Sequence, residues 1–202
     1  MKEHHVRTPL RLQDIDQISI GDIVYLSGKV VTGRDAVHRK IIEEKVDPPI
    51  DLSGLALFHA GPVVKREGTG WKIIAIGSTT SMRMEKYEAE FIKKTGIRMI
   101  IGKGFMGEKT ARACAEKGCI VGLLPGGCAA LFSKKVKRVL DVYWADLGVP
   151  EAMWVLEVEE LGPIYVTIDS KGENLYDLRR RSLESLGRAV SERLYHDLSR
   201  FI

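Results

Sequence analysis

The chain has 202 residues, of which 45% are hydrophobic and 29% charged, with 7 prolines and 3 cysteines. That length suits one domain, residues 1–202, able to bury roughly 70% of its unfolded surface, so disulfides and metals are not needed for stability, and the balance excludes fibrous, disordered and low-complexity classes. A net charge of +4, with bases interleaved among acids along the whole chain, mildly favours anionic ligands and argues against nucleic acid.

Residues 1–10 carry charges and two histidines where a signal peptide needs an apolar run. Nowhere do about 18 apolar residues follow one another, so a cytoplasmic protein with no membrane partner is expected. Residues 18–32 alternate around a Gly21-Asp22 turn and read as strand, and residues 34–46 read as helix. Residues 55–65 and 71–76 are apolar runs separated by a glycine-containing turn, a predicted hairpin. Helix resumes after Thr79-Thr80, with Met84, Tyr87, Phe91 and Ile92 at helical spacing. Short buried strands are predicted at 99–101 and 119–124, with a helix at 108–117 between them. Further strands are predicted at 139–144, 153–158 and 164–168, and a helix from Leu175 to the end. In that helix Leu178, Leu186, Val190, Leu194 and Leu198 form one stripe, read as a packing face. The class is α/β.

Both short strands run into glycines, Gly102 and Gly104 after the first and Gly126 and Gly127 after the second. Glycine lets backbone approach a ligand closely, so these strand ends are where a site is expected. Gly102-Lys103-Gly104-Phe105-Met106-Gly107 matches G-x-G-x-x-G between a strand and a helix, but the acidic ribose ligand due about twenty residues later is missing. A phosphate loop fails as well, because Gly104 stands where Ser or Thr should bind magnesium. What remains is a lysine between two glycines, placed to meet an anion.

Gly77-Ser78-Thr79-Thr80-Ser81-Met82-Arg83 puts a run of hydroxyls at a strand-to-helix junction, with an arginine about one turn later. Helix capping by Thr80 or Ser81 and anion binding through free amides and Arg83 are compatible readings. Arg34 and His38 lie four apart, on one helical face. His59 reads as structural. Cys114, Cys119 and Cys128 lack the short spacings of zinc or ferredoxin sites and are expected to be reduced, with Cys114 packed in a helix.

Taken together, Gly33-Arg34-Asp35 with His38, His59-Ala60-Gly61-Pro62, Thr79-Thr80-Ser81-Met82-Arg83, Gly102-Lys103-Gly104 and Leu161-Gly162-Pro163 resemble the β subunit of class I fumarate hydratases and of L(+)-tartrate dehydratases. The resemblance implies a single swivelling β/β/α-type domain. It also implies an α partner, in an α2β2 assembly, that holds a 4Fe-4S cluster; no metal is expected on this chain. By the same resemblance Arg34, Arg83 and Lys103 hold the carboxylates of a small dicarboxylate, Thr79 is the proposed base, and Thr80 and Ser81 line its loop. A free threonine hydroxyl is too weak a base near neutrality, so activation by a carboxylate from the α chain is expected. His38 is the second acid/base candidate, or else orients Arg34 from one turn away.

Dehydrating malate to fumarate requires a Lewis acid, a base and cations for two carboxylates, and this chain can supply the last two. Fumarate hydratase is the first reading and L(+)-tartrate dehydratase the alternative, since Gly127-Cys128-Ala129 looks more like the tartrate enzyme. A non-catalytic small-anion binding module is the reading from another class.

Overall fold

A computed structural model of the chain describes residues 1–198. Nine strands and six α-helices follow one another as β1 (Glu3–Arg7), α1 (Leu12–Ile15), β2 (Ile23–Thr32), α2 (Asp35–Ile42), β3 (Ala56–Phe58), β4 (Val63–Glu67), β5 (Gly70–Ala75), α3 (Glu85–Thr95), β6 (Met99–Gly102), α4 (Glu108–Lys117), β7 (Ile120–Leu123), α5 (Ala129–Ser133), β8 (Val136–Tyr143), β9 (Met153–Ile168) and α6 (Leu175–Leu198). None of the described helices is long and apolar enough to cross a membrane.

The main sheet runs β1-β2-β3-β6-β7-β9-β8, and an additional pairing joins β2 to β9. That pairing closes a circuit of five strands, β2, β3, β6, β7 and β9, with β1 and β8 on its outside. Three of the links are parallel and the two made by β9 are antiparallel. The period-two alternation of the strands sorts the core into two halves. Val30, Ala56, Phe58, Met99, Ile101, Ile120, Trp154 and Leu156 pack together inside. Their neighbours Val31, Leu57, Ile100, Val121 and Val155 point outward and are covered by Val37, Ile41, Phe91, Ile92, Ala111 and Cys114 of α2, α3 and α4. A closed layer of strands with helices laid over one side is the mixed α/β architecture expected.

Several elements differ from the sequence reading. The predicted hairpin is split: β3 joins the main sheet, and only β4 pairs with β5 as a separate two-stranded sheet. The runs 153–158 and 164–168 are one strand of 16 residues. Leu161-Gly162-Pro163 reads as a break, yet the strand passes through it with register shifts against β2, because a residue lacking an N–H is tolerated where pairing is irregular. Strand β1 was not anticipated; its alternating exposure comes from lying at the sheet edge. In α6 the expected packing face is not buried within this chain: Leu178, Leu186 and Val190 are exposed, and the side chains of Leu194 and Leu198 lie outside those described.

Candidate functional site

The loop after β5 is stitched to the end of β6 by backbone hydrogen bonds. The Lys103 amide donates to the Thr79 carbonyl at 3.1 Å, the Ser81 amide donates to the Lys103 carbonyl at 3.0 Å, and the Thr79 amide donates to the His59 carbonyl at 2.6 Å. Thr80 and Lys103 thus form an isolated parallel bridge, which extends the sheet by one step beyond Gly102. The contact is close enough to need glycine: a Cβ on Gly102 would lie 1.8 Å from the Ser81 hydroxyl. The Lys103 side chain runs against Gly126, where a Cβ would meet its Nζ at 3.5 Å. Both glycine-bearing strand ends therefore belong to one place, as the sequence suggests.

Two arginines flank this place, Arg83 from the turn that continues the same loop and Arg34 from the start of α2. One guanidinium nitrogen of Arg83, Nη2, donates to Thr79 Oγ1 at 3.1 Å and to Asp35 Oδ2 at 2.8 Å. Arg34 immediately precedes α2, lies against Gly61, and pairs through Nε with Glu151 Oε1 at 3.1 Å. The second oxygen of Glu151 accepts the Ala36 amide at 3.0 Å, so the start of α2 is already satisfied by a carboxylate from the loop before β9. Glu85 does the same for α4, accepting from the Gly107 amide at 2.7 Å and the Thr110 hydroxyl at 2.6 Å. A carboxylate of this chain thus sits at each of these two helix N-termini, and the side-chain cations are what an incoming anion meets. Lys103 makes no ion pair among the described residues and is exposed.

Behind the loops lies a fully buried cluster of three ionisable groups. Glu88 Oε2 stands 3.2 Å from His38 Nε2 and 3.1 Å from His59 Nε2, and none of the three side chains has exposed surface. Both contacts are short, but their angles fall short of hydrogen-bond geometry, so the attraction is chiefly electrostatic. The remaining ring nitrogens have definite partners: His38 Nδ1 donates to the Arg34 carbonyl at 2.8 Å, and His59 Nδ1 meets the Ser81 hydroxyl at 3.1 Å. Burial alone would raise the carboxyl, but the two imidazoles hold Glu88 down to about 2. Burial likewise opposes charge on both histidines. The neighbouring Glu88 charge overcomes it at His38, which is raised, and fails to do so at His59, which is lowered.

The cysteines do not form a cluster-binding set. Cys114 and Cys119 are fully buried on the helix-covered side of the sheet, whereas Cys128 is half-buried against the opposite core. The Cys119 thiol and burial push Cys114 well above the ordinary thiol range, whereas a cluster ligand must be a thiolate. A 4Fe-4S cluster does not fit these residues.

The residues singled out from sequence thus fall into two groups. Arg34, Thr79, Thr80, Ser81, Arg83 and Lys103 sit on segments joined directly by the contacts above. His38 presents no surface to a ligand and faces inward. Sequence reasoning missed Glu88, Asp35 and Glu151. Glu88 had a readable signal, an acid in the stripe Met84, Glu88, Phe91, Thr95 that the helix buries. Asp35 stands in the Gly33-Arg34-Asp35 motif, but its pairing with Arg83, like that of Glu151 with Arg34, is made only by the fold.

Residues 2–178 match the family model described as fumarase C-terminus. The chain is 45% identical over 168 residues to the L(+)-tartrate dehydratase subunit beta of Escherichia coli strain K12, covering 83% of this chain and 84% of that one. A Methanocaldococcus jannaschii protein provisionally named L(+)-tartrate dehydratase subunit beta is 43% identical over 188 residues, covering 90% and 95%. A Geobacillus stearothermophilus protein provisionally named fumarate hydratase class I is 38% identical over 183 residues, which span 90% of this chain and 35% of that longer protein. The chain belongs to the fumarase C-terminus family, and it is a component of a hydro-lyase.

Proposed function

We propose that the chain is the β subunit of an iron-sulfur dehydratase that acts on a four-carbon dicarboxylate, with L(+)-tartrate as the first substrate to test and malate/fumarate as the second. The observation that carries the reading is the contact of Arg83 with Thr79 Oγ1 at 3.1 Å, beside Lys103 on the adjoining strand end. Dehydration removes a proton from the carbon next to the one that loses its hydroxyl. A guanidinium donating to a hydroxyl oxygen favours the deprotonated form, which is what Thr79 needs to take that proton. Among the described residues no carboxylate hydrogen-bonds Thr79, so in this reading the group that takes the hydroxyl's own proton comes from the α chain. One oxygen of Asp35 pairs with Arg83 Nη2, where a substrate carboxylate would pair in this reading, and Lys103 and Arg34 serve the other end. Departure of the hydroxyl, and the 4Fe-4S cluster with it, belong to the α partner in this reading, in an α2β2 assembly.

The order of substrates rests on the relatives. The proteins named for tartrate are 43–45% identical, against 38% for the one named for fumarate. Fumarate stays in contention because both substrates share the two carboxylates this chain would grip, and one extra hydroxyl is read by few contacts. Free thiols at Cys114, Cys119 and Cys128 suit a cytoplasmic setting.

The test is co-expression with the cluster-bearing subunit, anaerobic reconstitution, and assay with L(+)-tartrate, L-malate and fumarate. Turnover of tartrate well above malate supports the first order, and the reverse supports fumarase. No turnover of any of them, together with tight dicarboxylate binding by this chain alone, would convert the reading to a small-anion binding module.

A further inference from the structure

The buried cluster connects the two loops that carry the cations. Starting from the Arg34 carbonyl, contacts run through His38 to Glu88, from Glu88 to His59, and from His59 to the Ser81 hydroxyl, at 2.8, 3.2, 3.1 and 3.1 Å. One end is the residue whose guanidinium flanks Gly61. The other is the turn between Thr79 and Arg83. The three links between them come from α2, α3 and the segment after β3, so the path crosses three elements without meeting solvent.

The protons on this path can be assigned by elimination. A backbone carbonyl only accepts, so His38 Nδ1 carries a proton. If His38 Nε2 were bare, it would face a carboxylate lone pair unless Glu88 were protonated, so one further proton lies between them. A charged imidazole against a charged carboxylate makes the pair neutral overall, which a dry interior requires. His59 then needs only one proton, on Nε2 toward Glu88. Its Nδ1 accepts from the Ser81 hydroxyl, which fixes that hydroxyl where the missing Cβ of Gly102 leaves room.

We propose that Glu88 is a positioning residue: through His38 and His59 it sets the placement of Arg34 relative to the Thr79–Arg83 turn, and thereby the spacing of the groups that grip the two ends of the substrate. This deepens the dehydratase reading and rests on it for its activity arm. Glu88 itself touches no substrate. Its effect follows from geometry, since a displacement of about 1 Å between gripping groups is enough to cost roughly 10²-fold in rate.

The experiment has three arms on the reconstituted complex and on this chain. Imidazole nitrogen NMR of the purified chain near neutrality should show one histidine protonated on both nitrogens and another on Nε2 only, and both signals should change in Glu88→Gln. Metal analysis of the same sample should show no stoichiometric divalent ion; an ion held by His38, His59 and Glu88 would overturn the proton assignment. In the complex, Glu88→Gln should lower kcat/KM by at least tenfold with a raised KM, and Ser81→Ala, which cuts only the last link, should shift KM in the same sense. His59→Asn serves where Glu88→Gln fails to fold. Wild-type NMR signals with unchanged kinetics in Glu88→Gln and in Ser81→Ala would remove the positioning role. An inactive wild-type complex with the expected NMR pattern would instead count against the dehydratase reading and leave the proton path standing.

Discussion

At Thr79 the choice between base and binding group can be made by removing one oxygen. Thr79→Val keeps the shape and deletes the hydroxyl that Arg83 contacts. As the base, Thr79 should lose about 10² to 10⁴ in kcat on that change, and isotope exchange at the substrate carbon should fall with it. Exchange at the wild-type rate, with only KM raised, would move the base to the partner chain. Arg83 and Lys103 make a second pair of tests. The Arg83 to Asp35 pair is about half exposed, so its contribution to folding is within about 1 kcal/mol. Arg83→Met and Lys103→Met should therefore cut activity of the complex far more than they lower its Tm, measured on the same preparations. The buried carboxylate gives a pH dependence with a definite sign. Glu88 titrates near 2 in the folded chain and near an ordinary 4.5 unfolded, so the unfolded state binds the proton first as pH falls. Its contribution is full above 4.5 and is lost toward 2. His59, lowered from 6.5, adds to the acid loss from that point downward, whereas His38, raised above 6.5, loses its contribution as pH rises through its folded value. Melts of the wild-type chain should steepen between pH 4.5 and 2 more than melts of Glu88→Gln, and parallel curves would contradict the assignment.

At the scale of elements, the glycine that ends β6 acts through fit. A Cβ on Gly102 meets the Ser81 hydroxyl at 1.8 Å, while one on Gly127 meets nothing within 4 Å. Gly102→Ala is expected to destabilise by about 1–3 kcal/mol, as overpacking does, with Gly127→Ala near neutral by comparison. Equal melts for the two would mean that Ser81 simply moves aside. The strand ends, the helix at 85–95 and the loops carrying Arg34, Thr79 and Lys103 were legible because each is marked locally, by glycine, by apolar period or by a run of hydroxyls. The continuity of β9, the edge strand β1 and the counter-ions of Arg34 and Arg83 were not. Each depends on residues far apart in sequence: Val31 opposite Val155, Glu3 opposite Ile23, Arg34 beside Glu151. The stripe on α6 was visible as amphipathic spacing, but spacing does not say whether the covering surface lies in the same chain.

For the whole molecule, the cysteines set one more expectation. Since Cys128 lies on the other side of the sheet from Cys114 and Cys119, anaerobic reconstitution of this chain alone should leave no visible cluster absorption. A stoichiometric brown product would reverse that assignment. The closed circuit of strands also has a temporal side. Lys103 is synthesised well before β9, yet β2 finds its antiparallel neighbour only when residues from Val155 to Tyr165 arrive to face Val31 and Ile23. At translation speeds of about 5–20 residues per second, the site segments wait roughly 3–12 s on the ribosome with the inner faces of their strands uncovered. The sheet pairings β2–β3, β3–β6 and β2–β9 join residues far apart in sequence, and such topologies close slowly. The nascent chain is therefore most exposed to aggregation and to chaperone capture after its substrate-gripping residues have been made and before the strand that encloses them exists.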